Sequence, residues 1–350
     1  MTQAASPAPQ RRFVSVDVLR GWAVAAMLLV NYPGSWAHVY APLAHSEWNG
    51  FTPTDLIFPA FLFVVGVSIA LGLKAGTPVS KLWVRALRLV GVGLALHAVA
   101  MWGYDKADFR VWGVLQRIGL CYGVAAPLVL WLAPRRQWLV IAGLLLGYWV
   151  LLATGGGYAP WDNLASRVDT WLAGVHNYQF DPTTRRGHDP EGLLSTLPAI
   201  ATTLLGVRAG AELRDRGGVP VMVGGLALLA LGWLWAQWMP WNKNLWTSSY
   251  VLYAAGWSCL LLALCHALFD HLGVYPLGRS MGINAITAYA GSWLLACVFA
   301  KFGVFEAAYG QAAAWLGEGN AVSLAVAVAF VALWWWLMWG MEKKGWRVTI

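Results

Sequence analysis

The chain has 350 residues, of which 59% are hydrophobic and only 11% charged, with 24 Trp, 38 Gly and a mean hydropathy of +0.56. A soluble domain carries roughly 25% charged residues. The composition therefore excludes a soluble globular enzyme and a disordered chain, and fits helices in lipid with small-residue contacts and aromatic belts. The net charge of +8 lies in short basic clusters between apolar runs. No basic stripe or nucleic-acid motif accompanies it, so nucleic acid is not the expected partner.

Residues 1–12 read as a disordered cytoplasmic tail and 13–350 as one transmembrane domain. Arg11-Arg12 before an apolar run has the look of an export signal. Asp17 and Arg20 interrupt that run and no small-residue cleavage site closes it, so it reads as a first transmembrane helix. Crossing the bilayer takes about 20 apolar residues. Ten segments fit: 14–34, 53–73, 82–103, 111–132, 137–153, 194–212, 219–238, 247–268, 282–300 and 320–340. The expected fold is thus all-α, a polytopic transmembrane bundle of about ten helices. Basic residues concentrate at 11–12, 74–88, 135–136, 208–216 and 343–347, which places both termini in the cytoplasm. Three polar stretches then face outward: 35–52, 154–193 and 239–246. Segment 301–319 is expected as a re-entrant or surface helix.

In the first helix, Asp17, Arg20 and Asn31 share one face, with Asn31 roughly 21 Å above Asp17. Asp17 and Arg20 form either an interfacial ion pair or part of a polar ligand passage. His45 lies at the outer mouth among Asn31, Glu47, Asn49 and Asp55, and an imidazole there can act as general base or nucleophile. Asp55 opens the second helix, where the helix dipole alone would account for a carboxylate. Arg110 and Arg117 fall on one face of the fourth helix and call for an internal carboxylate or an anionic ligand. Asp189-Pro190-Glu191 has the form of a helix start. Trp241-Asn242-Lys243-Asn244-Leu245-Trp246 carries more donors than a turn requires, and its Trp rings suit a sugar. Asn284 caps the ninth helix or lines a passage.

Cys121, Cys259, Cys265 and Cys297 all sit in apolar runs with no CxxC spacing, against a disulfide framework or a zinc site. No GxSxG, Walker A, HExxH or GxGxxG motif is present, and the histidines form no i,i+4 metal pair, so no metal is expected.

Seven blocks in chain order resemble the heparan-α-glucosaminide N-acetyltransferase family, and within it the bacterial NagX-type branch. They are Ser15-Val16-Asp17-Val18-Leu19-Arg20-Gly21, Asn31-Tyr32-Pro33-Gly34, His45 to Pro59, Gly113 to Arg117, Asp189 to Thr196, Asn242 to Thr247, and Gly282-Ile283-Asn284. The resemblance implies a transmembrane acyltransferase domain. It would move the acetyl group of cytosolic acetyl-CoA to the amine of a glucosamine-type acceptor at the periplasmic face of the bacterial inner membrane. It makes His45 the active-site residue with Asn31 beside it and Asp55 as support. Asp17, Arg20, Arg117, Gln116 and Asn284 would line the acetyl-CoA passage. Trp48, Asn49, Glu191, Asn242, Lys243 and Trp246 would bind the acceptor. The family also implies a homodimer in the bilayer. Direct transfer and an acetyl-histidine intermediate both stay open. The alternative function is an amino-sugar transporter of the same fold, for which a midplane site and repeats would be expected.

Overall fold

The computed structural model describes residues 12–349. The disordered tail expected over 1–12 lies, apart from Arg12, outside the described residues. The ten expected helices are all present, as α1 (Val14–Asn31), α2 (Ile57–Gly72), α3 (Val79–Gly103), α4 (Val114–Trp131), α5 (Pro134–Thr154), α7 (Thr196–Arg216), α8 (Gly218–Trp235), α9 (Ser248–Cys265), α11 (Ala285–Lys301) and α13 (Asn320–Lys343). Three shorter helices join them: α6 (Leu164–Ala173), α10 (Arg279–Ile283) and α12 (Val304–Leu316). The one sheet among the described residues is an antiparallel hairpin, β1 (Gln179–Asp181) with β2 (Arg186–His188), inside the long polar loop.

Local sequence explains several boundaries. α1 has Phe13 at its N-cap and no side-chain cap of its own. Asp270 supplies one from across the fold, its Oδ1 accepting from the amides of Val14 at 2.8 Å and Ser15 at 3.3 Å. α5 begins with Pro134, whose missing N–H costs nothing at the first helical position. α6 is capped by Asn163, which accepts from the Ser166 amide at 2.8 Å.

Eight helices are long and apolar enough to cross a membrane, and a ninth span arises if α11 and α12, bent by 72° at their junction, count as one. α12 buries no side chain, and Trp315 and Leu316 at its end are largely exposed, as a surface or re-entrant helix requires. Two expected spans deserve correction. α11 is short and ends in the bend. α7 is not apolar enough, because Arg208, Glu212, Arg214, Asp215 and Arg216 crowd its last turns. It is instead shielded by protein, so it has no need of a lipid-matched surface. α2 and α7 touch backbone to backbone: a Cβ on Gly66 would stand 1.9 Å from the Thr203 carbonyl oxygen, and one on Gly206 2.0 Å from that of Phe63. All four cysteines are free and buried.

Candidate functional site

A cavity of about 700 Å³ opens at the end of the bundle where α1 stops. Asn31 from α1, His45 and Glu47 from the following loop, His97 from α3, and Arg110, Tyr178, Glu191 and Lys243 from the connecting loops line it. Trp293 of α11 and Phe305, Glu306 and Tyr309 of α12 close its other side.

His45 owes its orientation to a tight turn. Residues Pro53–Leu56 form one 3-10 turn leading into α2, and Thr52 and Asp55 make a reciprocal capping box across it. Asp55 is fully buried. Its Oδ2 accepts from the amides of Ser46 at 3.0 Å and Thr52 at 2.9 Å and from the Thr52 hydroxyl at 3.2 Å. Oδ1 is left for His45 Nδ1 at 2.6 Å. A carboxylate at Nδ1 holds the proton there and leaves Nε2 as the acceptor. The His45 side chain is 49% exposed, so that acceptor is reachable from the cavity. The Tyr250 hydroxyl donates to the Asp55 backbone carbonyl and anchors the turn to α9.

Opposite His45 lies a charged wall. Arg110 forks onto Asp189, with Nη2 2.6 Å from Oδ1 and Nε 2.9 Å from Oδ2, and also donates to Glu191. Its guanidinium lies 4.5 Å from the Tyr178 ring centre. Burial works against the Arg110 charge, but Asp189 and Glu191 more than offset it and raise its pKa. For Glu191, burial favours the neutral acid, and Arg110 with Lys243 outweighs it and lowers the pKa. Lys243 Nζ sits 3.4 Å from His45 Nδ1. Burial lowers the Lys243 pKa, against the pull of Glu191 and Asp55. Asp189 also accepts from the amides of Tyr178 and Glu191 at 2.8 and 2.9 Å. That corrects the expected helix start at this segment: Asp189 caps a turn through the Glu191 amide, turns follow, and α7 begins only at Thr196.

Of the residues singled out in the sequence, Asn31, His45, Glu47, Arg110, Glu191 and Lys243 line the cavity, with Asp55 buried directly behind His45. Others form its supporting wall. Asn242 Nδ2 donates to Asn49 Oδ1 at 3.1 Å, and Asn242 Oδ1 takes the Leu245 amide at 2.7 Å, stitching the His45 loop to the Lys243 loop. Trp48 donates to the Tyr158 carbonyl at 2.7 Å and meets His188 edge-on. Trp246 is fully buried and donates to Thr202 Oγ1 at 3.1 Å. Arg117, also fully buried, stands over the Trp246 ring at 5.0 Å and donates to the Gly192 carbonyl at 3.0 Å and to Ser195 Oγ. It therefore ties the Glu191 loop to the Lys243 loop. Gln116 donates to the Val111 carbonyl at 3.0 Å.

The remaining three sit away from the cavity lining. Asp17 pairs with Arg12 at 2.7 Å and Arg20 at 3.2 Å. Arg20 also reaches Ser68 Oγ at 2.8 Å and the Gly282 carbonyl at 3.0 Å. Asn284 is fully buried at the break between α10 and α11, with neither amide atom bonded in the protein. Sequence reasoning missed His97, Tyr178 and Trp293 as lining residues, and of the two partners it offered Arg110, an internal carboxylate or an anionic ligand, the structure supplies the carboxylates of Asp189 and Glu191. The expected shared helix face of Arg110 and Arg117 is not realised: α4 begins at Val114, and Arg110 lies in the loop before it.

Fold and cavity together define a polytopic helical membrane protein with a ligand-sized polar chamber at one end of its bundle. Residues 12–219 match the family model described as heparan-alpha-glucosaminide N-acetyltransferase, catalytic, and the chain belongs to that family. It is 31% identical to the heparan-alpha-glucosaminide N-acetyltransferase of Homo sapiens over 357 residues, covering 80% of this chain and 52% of the relative. It is 30% identical to that of Mus musculus over 363 residues, covering 81% and 54%. The chain thus spans about half the length of the curated relatives it matches. The matched family region holds Asn31, His45, Asp55, Arg110, Arg117 and Glu191, while Lys243 lies beyond it.

Proposed function

We propose that this chain is a transmembrane acetyltransferase. It moves the acetyl group of acetyl-CoA to the amine of a glucosamine-type acceptor in the cavity, on the periplasmic side of a bacterial inner membrane. The observation that carries the reading is the His45–Asp55 pair, open to a chamber of about 700 Å³ in a chain of the N-acetyltransferase family. Met27, Val30, Phe58 and Trp293 give the chamber apolar surface suited to a pantetheine arm, beside the polar wall that suits a sugar.

In this reading Asp55 fixes the His45 tautomer. The acceptor ammonium first loses a proton to solvent, and His45 Nε2 takes the second proton as the free amine attacks the thioester carbonyl. The Asn31 amide donates to the oxyanion that develops on that carbonyl. The proton then passes from His45 to the departing thiolate. Glu191, with Lys243 and Asn244, holds the acceptor by its amine and hydroxyls. Arg110 and Arg117 hold the loops in register and touch neither substrate.

The test uses purified protein in sealed vesicles with acetyl-labelled acetyl-CoA on one side and a panel of amino sugars on the other. Label on an acceptor, with free CoA released, supports the acetyltransferase. Uptake of unmodified sugar without acetyl transfer would replace it with a transporter. A pre-steady-state burst of CoA would mark an acetyl-histidine intermediate.

A further inference from the structure

Two lysine amines line the chamber, Lys106 and Lys243, and Lys243 is the one that stands beside His45. Lys243 lines the cavity, and its Nζ is 3.4 Å from the ring of His45. It rides on the loop between α8 and α9, which the Asn242–Asn49 bond and the Gly50 amide donating to the Trp241 carbonyl at 2.7 Å lock to the His45 loop. The amine is therefore held at the catalytic imidazole by backbone-level stitching, not by chance of a long side chain. Nδ1 faces Asp55, so the reactive Nε2 is on the far edge of the same ring. Lys243 Nζ and an acceptor amine at Nε2 would thus face the same imidazole in one cavity.

We propose that Lys243 is an internal acceptor, acetylated on Nζ by the chain itself when thioester donor is bound and no amino sugar is present. This rests on the acetyltransferase reading above. The step balances as written. The ammonium first loses a proton to solvent, which the burial of Lys243 favours. The free amine attacks the thioester carbonyl, the C–N bond forms and the C–S bond breaks. The second nitrogen proton passes to His45 and from there to the CoA thiolate. The product is N-acetyl-lysine and CoA thiol. Acetylation removes the positive charge facing Glu191 and Asp55 and fills the acceptor space, so the modified chain is a blocked enzyme. Acetyl transfer to sugar is thereby limited when donor outruns acceptor.

The experiment incubates detergent-purified full chain with isotope-labelled acetyl-CoA, with and without glucosamine, and maps labelled lysines by peptide mass spectrometry. Transfer to glucosamine is followed in the same samples. Label should build on Lys243 without acceptor, fall when glucosamine is added, and be lost in His45→Ala. The solvent-exposed Lys74 and Lys81 serve as internal controls for uncatalysed acetylation. Preincubation with donor alone should cause a time-dependent loss of later transfer in the wild type, and Lys243→Arg, whatever its own starting rate, should show no such loss relative to its unpreincubated sample. Equal label on Lys243 in His45→Ala, or equal label on Lys74 and Lys81, would overturn the proposal. Transfer to glucosamine with Lys243 unlabelled would overturn it and leave the acetyltransferase reading standing. Absence of both transfer and label would overturn both.

Discussion

The two ends of α1 carry similar residues to opposite effect. At its first turn, Asp17 is answered by Arg12 and Arg20, and Arg20 in turn by Ser68 and the Gly282 carbonyl. Close by, Asp270 accepts the first two amides of α1 and the Nδ1 side of His266, at 2.8 Å. Glycine permits the closure: a Cβ on Gly282 would stand 1.7 Å from the Asp17 carbonyl oxygen. At its last turn, Asn31 opens onto a chamber, His45 keeps one nitrogen available, and Lys243 faces the same space. Charge inside a membrane protein is a functional candidate by default. The contrast shows how to sort such candidates. Where donors and acceptors are matched within the protein and backbones touch, the group holds the bundle together. Where a buried partner orients a side chain and leaves its other edge open, the group is available to a ligand.

The strongest way to break this contrast is His45→Ala. It should lower kcat by about 10²–10⁴-fold, the range for a positioned general base, and lower the unfolding midpoint modestly, because buried Asp55 loses the partner of Oδ1 but keeps the three donors to Oδ2. Next is Arg110→Ala, which strands the buried carboxylates of Asp189 and Glu191. Breaking a buried pair costs about 3–5 kcal/mol, read as a lowered midpoint in denaturant. At the closed end, Asp17→Asn should cost about 2 kcal/mol by weakening two charge-assisted hydrogen bonds. Its pH profile of kcat should keep the wild-type shape, and a shifted profile would move Asp17 into the chemistry.

An effect visible only against pH sharpens the picture of the loop beneath the chamber. Burial and the nearby Asp189 push the Asp169 carboxyl from 3.8 up to about 7. The neutral acid is then the form the fold prefers, so its contribution is complete below pH 4 and is lost as pH rises to 7. Burial pulls His188 from 6.5 down to about 4. Its contribution is complete above pH 6.5 and is lost as pH falls to 4. Melting temperature against pH should therefore tilt in opposite directions for Asp169→Asn and His188→Gln. The first gains on wild type as pH rises from 4 to 7, and the second gains as pH falls through the same window.

The helices were legible because apolar runs of about 20 residues leave little choice in lipid. α7 was the exception in kind: its charged last turns exclude lipid, and only its burial among protein helices reveals how it is accommodated. The His45 segment was legible too, since His45 and Asp55 lie ten residues apart on either side of one turn. The far wall was not. Arg110 meets Asp189 from 79 residues away and Lys243 meets His45 from 198 away, and no local pattern encodes such pairings. Asp17 and Arg20 read equally as an ion pair or as part of a passage; the structure shows the pair and adds contacts of Arg20 to Ser68 and Gly282 that no local pattern encodes.

The central claim is that His45, oriented by Asp55, carries out acetyl transfer in the outer chamber. The most direct test measures label moving from acetyl-CoA to glucosamine in wild type and His45→Ala, both checked for folding by thermal denaturation. The account predicts transfer by the wild type and its near-complete loss in a variant that is still folded at the assay temperature. Undiminished transfer by folded His45→Ala would contradict it.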